Sequence, residues 1–148
     1  MAAQPEDHPD VQVFDEIAKI ERLIRAAVTR RLPVGLTHPQ FQVLNLLARR
    51  GDGITPAEIA KALHMTRNGL TNTLQRLCAR KLATVEDCAL DGRRKRIRLS
   101  AEGRETYMQS LAAIRPKIEG LRGGFTPQEF RDALPFLRAL RNWLGDGQ

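Results

Sequence analysis

Apolar residues recur along this chain at two spacings, and the change from one to the other marks out its parts. From Asp10 to Arg31 they fall at Phe14, Ile17, Ile20, Ile24, Ala27 and Val28, a single helical stripe. Pro33 and Gly35 end that helix. Thr37-His38-Pro39-Gln40 opens the next one: Thr37 caps, Pro39 lies in the first turn where its missing N–H costs little, and Gln40 stands three after the cap. Phe41, Val43, Leu44, Leu46 and Leu47 are dense enough to bury it well. After a turn at Arg49 to Gly53, Thr55-Pro56-Ala57-Glu58 is a fuller start signal, and Ile59, Ala60 and Leu63 then face inward. His64-Met65 is a turn and Thr66 caps the following helix, whose Leu70, Leu74 and Leu77 recur at i, i+4 and i+7.

Beyond that helix the spacing shortens to that of strands. Leu82 to Cys88 is one candidate and Lys95 to Leu99 another, with Ile97 and Leu99 alternating inward; Asp91-Gly92 between them is a hairpin-turn signal. Helical spacing then returns. Ser100 can cap a long helix to about Leu121, striped by Tyr107, Leu111, Ile114 and Ile118, with Pro116 expected to kink it and Gly123-Gly124 to break it. Thr126-Pro127-Gln128-Glu129 starts a last helix carrying Phe130, Leu134, Leu137, Leu140, Trp143 and Leu144, with Pro135 a second expected kink. Residues 1–9 are polar, hold two prolines and read as a flexible arm. The pattern predicts one domain over 10–148, mostly α with a small antiparallel β hairpin. Within it, 37–100 is a compact helix–turn–helix and hairpin, flanked by the helices of 10–36 and 101–148.

Charge sharpens this picture by its location. At 148 residues, 42% hydrophobic and 28% charged, the chain has an ordinary globular composition. Its formal net charge is +7. Between Thr66 and Arg98 lie Arg67, Arg76, Arg80, Lys81, Arg93, Arg94, Lys95, Arg96 and Arg98, against only Glu86, Asp87 and Asp91, so this window holds +6 of the +7. A basic footprint confined to one stretch points to an anionic partner there, nucleic acid above all.

The face of the Thr66 helix opposite its leucines shows Arg67, Asn68, Thr71, Asn72, Gln75 and Arg76. These side chains suit base edges in a major groove: Arg for guanine, Asn or Gln for adenine, Thr for a thymine methyl or a phosphate. A solvated helix face is also polar, but it usually mixes signs, and no acid lies between Arg67 and Val85. The basic residues Arg93, Arg94, Lys95 and Arg96 crowd the hairpin, where they suit the phosphate backbone or minor groove. Helix, turn, helix and basic hairpin make a winged helix-turn-helix, and the expectation is a sequence-specific binder of double-stranded DNA.

Rival chemistries find little support. His8, His38 and His64 are scattered without metal-like spacing, and there is no Ser–His–acid pattern or glycine-rich phosphate loop, so neither an enzyme nor a cofactor is expected. Cys78 and Cys88 do not make a disulfide framework. No run approaches the ~20 apolar residues of a membrane span, and the N-terminus lacks the apolar core of a signal peptide, so a cytoplasmic protein with no membrane partner is expected. The other binding classes left open are an architectural module without sequence preference and a protein-interaction module.

The order of elements from about Phe14 to Leu144 resembles the MarR family of transcriptional regulators. The resemblance rests on LTHPQFQVLNLLARRG, ITPAEIAKALHMTRNGLTNTLQRLCARKLA and DGRRKRIRLSAEG, and on the spacing from Leu82 through Asp91 and Arg93 to Leu99-Ser100 and Gly103. It implies a homodimer whose terminal helices (10–36 and 101–148) interlock. Each winged helix would read half of an inverted repeat, in a regulator, here expected to be a repressor, that releases DNA to a small anionic or aromatic effector or an oxidant. By position, Thr66 to Arg76 match the recognition helix, Arg93 the wing arginine and Asp91 the acid that orients it. Some positions depart from the family pattern. Lys81 stands where glycine is usual, Thr84 and Glu86 replace arginines at the start of the wing, Gly92 replaces a basic residue, and the first helix lacks the cysteine of the family's redox sensors.

Overall fold

The structure is a computed structural model that describes residues 8–51, 53–88 and 91–146, with the side chains of 87, 88 and 91–94 outside the described set. Of the expected arm, residues 1–7 lie outside the described residues, and helix α1 (Pro9–Thr29) begins at Pro9. The order continues α2 (His38–Arg50), α3 (Pro56–Leu63), α4 (Arg67–Ala79), β1 (Ala83–Cys88), β2 (Asp91–Leu99), α5 (Ala101–Gly124) and α6 (Pro127–Asp146). The mostly α architecture with one small antiparallel sheet is the one the periodicity predicts.

The start signals act as the sequence implies. Thr37 Oγ1 accepts from the Gln40 N–H at 3.3 Å while Gln40 Oε1 accepts from the Thr37 N–H at 3.3 Å, a reciprocal capping box. Thr55 and Thr66 accept from the N–H groups of Glu58 and Gly69 at 3.2 and 3.1 Å. Two of the stops are made without glycine. At the end of α3, His64 takes φ +52°, and at the end of α4 Lys81 takes φ +61°. Around Lys81 the Leu82 N–H reaches the Leu77 carbonyl at 2.9 Å and the Lys81 N–H the Cys78 carbonyl at 3.0 Å, a Schellman closure built on a lysine.

By internal contacts the chain divides into two compact units, 1–113 and 114–148. The core of the first gathers Val43, Leu44 and Leu47 of α2, Ile59 of α3, Leu70, Leu74 and Leu77 of α4, Ile54, Leu82, Ala83 and Ile97 of the sheet region, and Tyr107 of α5. The leucine stripe of α4 thus points into this core, which fixes the direction of its opposite face. Tyr107 stacks on Phe41 at 6.0 Å between ring centroids and its hydroxyl donates to Asn45 Oδ1 at 2.7 Å, tying α5 to α2. In the second unit no residue of α6 is buried. Its cap is formed by Thr126 and Glu129, whose hydrogen bonds from the Thr126 backbone and hydroxyl hold the Glu129 carboxyl below the usual range.

One local expectation is corrected. Asp91 and Gly92 are the first residues of β2, not the turn: Cys88 pairs with Asp91, and a register shift between Asp87 and Cys88 absorbs the difference from the Asp87–Lys95 pairing. A dipeptide favours a turn type but does not set the ladder register. Pro116 and Pro135 lie inside α5 and α6, and α5 ends at the expected Gly123-Gly124. The carbonyls four residues back belong to exposed Ala112 and Arg131, where water can take the place of the missing N–H.

Candidate nucleic-acid interface

With Leu70, Leu74 and Leu77 buried, helical geometry leaves Thr66, Arg67, Asn68, Thr71, Asn72, Gln75 and Arg76 exposed together on α4. Two of them also serve the helix. Thr66 Oγ1 is the cap, and Thr71 Oγ1 donates to the Arg67 carbonyl at 2.9 Å, which leaves its methyl and its oxygen lone pairs outward. Buried Thr73 is tied to the Gly69 carbonyl at 2.9 Å and takes no part in the face.

An open groove of about 760 Å³ runs beside this face, lined by Thr55, Pro56, Ala57, Glu58 and Ala60 of the α3 start, Arg67, Leu70 and Thr71 of α4, and Lys95 of β2. It brings wing and helix together at one concavity. The first turn of α3 forms one of its walls. Its threonine-capped start reads in the sequence as a structural signal and gives no hint that it lies beside the polar face. Glu58 is the acid in this groove, and among the described residues its carboxylate has no partner.

The basic residues of the wing separate in the structure. Lys95 is exposed and lines the groove. Arg96 is half-buried, and its Nη1 donates to the Gly53 carbonyl at 2.9 Å. Arg98 Nε donates to Glu86 Oε2 at 2.6 Å, so the acid that replaces an expected arginine neutralises a neighbour across the sheet. The side chains of Asp91, Arg93 and Arg94 lie outside the described residues. Cys78 is half-buried, and burial pushes its thiol up, away from the reactive thiolate. No group of His, Cys, Asp or Glu that could hold a metal is found among the described residues, and no described helix is long and apolar enough to cross a membrane.

The arrangement has known counterparts. A sequence model of the MarR family matches residues 34–94, the stretch that holds α2, α3, α4, β1 and the tip of the wing. A mutant MarR from E. coli complexed with operator DNA is similar in fold, with a TM-score of 0.80 at 21% identity, covering 93% of this chain and 99% of that one. MepR from S. aureus in a DNA-binding conformation gives 0.79 at 25% identity, covering 89% and 98%. The PcaV transcriptional regulator from Streptomyces coelicolor, in complex with its natural ligand, gives 0.78 at 20% identity, covering 96% and 98%. Residues 34–94 of this chain thus match the MarR family of transcriptional regulators in sequence, and its six-helix fold is the one seen in MarR-family regulators.

Proposed function

We propose that this chain is a sequence-specific DNA-binding repressor that grips an inverted repeat as a homodimer and lets go when a small anionic or aromatic effector binds. The observation that carries the DNA reading is the α4 face: seven exposed polar side chains, Thr66, Arg67, Asn68, Thr71, Asn72, Gln75 and Arg76, with no acid among them, backed by three buried leucines. Arg67 and Arg76 suit guanine, Asn68, Asn72 and Gln75 suit adenine, and the groove below admits a sugar–phosphate strand beside Lys95. In this reading the wing's Arg93, oriented by Asp91, and Arg94 reach the backbone or minor groove alongside. The related MarR complexed with operator DNA and MepR in a DNA-binding conformation support it.

Exposed apolar side chains support the homodimer. Phe14, Ile20, Leu23 and Ile24 stand out on α1, and Phe130, Leu134, Leu137, Trp143 and Leu144 on α6, with Leu23 69% and Trp143 75% exposed. Fully burying one such side chain is worth about 1.5–3 kcal/mol, so several covered together would hold two copies firmly. The paired recognition helices would then enter major grooves one DNA turn apart, ~34 Å. For the effector, PcaV with its natural ligand is the parallel. Burial, and then the Arg25 charge, hold the His38 imidazole at the start of α2 below its usual range.

Selection of bound duplexes from a random pool tests the reading. An inverted repeat should emerge, bound ~10³-fold or more above random DNA. Arg67→Ala and Asn72→Ala should each relax preference at one base pair per half-site by ~1–3 kcal/mol, and Arg93→Ala should weaken binding to every sequence. A specific-to-random ratio near one would make the chain an architectural or protein-binding module instead. Unchanged preference in both α4 variants would mean that α4 is not the reading element.

A further inference from the structure

Two adjacent basic residues of the wing, Lys95 and Arg96, look equivalent in the sequence and are placed in opposite roles by the sheet. Successive strand residues point to opposite faces. Lys95 is exposed and borders the groove that also holds Arg67, Thr71 and the start of α3. Arg96, on the other face, bends over the loop before α3, and its Nη1 donates to the Gly53 carbonyl at 2.9 Å.

The seat for Arg96 is shaped for it. Gly53 is buried, and a Cβ there would come within 3.0 Å of Arg96 Cβ and 3.4 Å of both Arg96 Cδ and Arg98 Cζ. Next to it, Ile54 and Ile97 exchange backbone hydrogen bonds, 3.2 Å from the Ile54 N–H and 2.8 Å from the Ile97 N–H. The base of β2 is therefore clamped to the α2–α3 loop by two ladder bonds and one charged donor on a backbone carbonyl. The same loop leads into Thr55 and the first turn of α3, one wall of the groove.

We propose that Arg96 is a positioning residue, which sets the wing against the start of α3 by locking onto Gly53, and that Lys95 is the side chain of this pair that meets a DNA phosphate. This rests on the DNA-binding reading above and divides its basic wing into contact and support. Arg96 keeps its charge but is tied to the Gly53 carbonyl on the strand face opposite Lys95, whereas Lys95 lines the groove, so the two differ in how their loss changes salt dependence.

Salt titrations of binding to the selected duplex, for the wild-type protein and three variants, test the division. Lys95→Ala should flatten the slope of log affinity against log salt by about 0.9 per protomer, about 1.8 for the homodimer. Arg96→Met removes the donor but keeps the stem, and Gly53→Ala keeps every charge but crowds the seat. Both should lower affinity about tenfold, the scale of one hydrogen bond to a charged group, with the slope unchanged. Amide exchange at Ile54 and Ile97 should quicken in these two and not in Lys95→Ala. An Arg96→Met slope flattened as much as that of Lys95→Ala would make Arg96 a direct phosphate contact and overturn the proposal. Quickened exchange with undiminished affinity would overturn it too, leaving Arg96 a purely structural residue. A wild-type protein with no salt-dependent binding to any duplex would instead sink the DNA reading itself.

Discussion

Gly103 offers the sharpest test of how the wing is joined to the frame. It lies in the first turn of α5, and a Cβ built on it would sit 1.9 Å from the Leu82 carbonyl oxygen and 2.9 Å from both the Leu82 carbonyl carbon and Leu99 Cδ1. The oxygen is backbone and cannot swing aside. It also accepts from the Ser100 N–H at 3.1 Å, while Ser100 Oγ donates to the Lys81 carbonyl at 2.6 Å and accepts from the Gly103 N–H at 2.9 Å. Relieving the clash needs a separation of more than an ångström, which breaks most of this knot. Losing two or three hydrogen bonds at ~1 kcal/mol each, one of them the α5 cap, outweighs the ~0.5–1 kcal/mol that alanine gains over glycine in a helix. Gly103→Ala should therefore destabilise by about 1–2.5 kcal/mol and loosen the sheet from α5. Urea unfolding followed by circular dichroism, at one fixed protein concentration, measures it. Gly120→Ala is the control: it is in the same helix with nothing within 4 Å of its added Cβ, and it should be stabilising by ~0.5–1 kcal/mol. A Gly103→Ala midpoint equal to or above the wild-type value would refute the close approach.

Lys81→Gly should raise stability by up to ~1 kcal/mol, because φ +61° costs a side chain more than the flexibility that glycine brings; an unchanged or lower thermal midpoint would count against this. Tyr107→Phe should cost about 1 kcal/mol, since the lost 2.7 Å bond leaves Asn45 Oδ1 without its donor; a denaturation midpoint equal to the parent's would show that water replaces it fully. The lowered pKa of His38, due first to burial and then to Arg25, means that the unfolded chain takes up a proton before the folded one does. Its contribution is present above the usual His value of ~6.5 and is lost as pH falls from there through the folded value. His38→Gln should flatten the stability–pH curve in that window, and a curve parallel to the wild type would contradict it.

What the sequence determined alone is whatever depends on neighbours within a turn or two of chain. The caps at Thr37, Thr55, Thr66 and Thr126 and the leucine stripe of α4 are written in local spacing, because helical geometry links residues three and four apart wherever the helix lies. The acid-free polar face opposite that stripe follows from the same arithmetic. The wing turn is less legible. Asp91-Gly92 signals a turn but not the ladder that places it inside β2.

Only the tertiary structure decided which distant groups meet. Nothing in the run Arg93 to Arg96 says that Arg96 will find a carbonyl 43 residues back, that Lys95 will face the start of α3, or that Glu86 will take Arg98 out of the free charge. Gly103 appears in the sequence as a helix residue of low propensity; it is glycine because the Leu82 backbone passes where a Cβ would be. Periodicity records that a side chain is buried or exposed, since that depends on which face it occupies. It cannot record the partner, since hydrogen bonds and close approaches across the fold are fixed by the relative placement of elements that the chain brings together only when it packs.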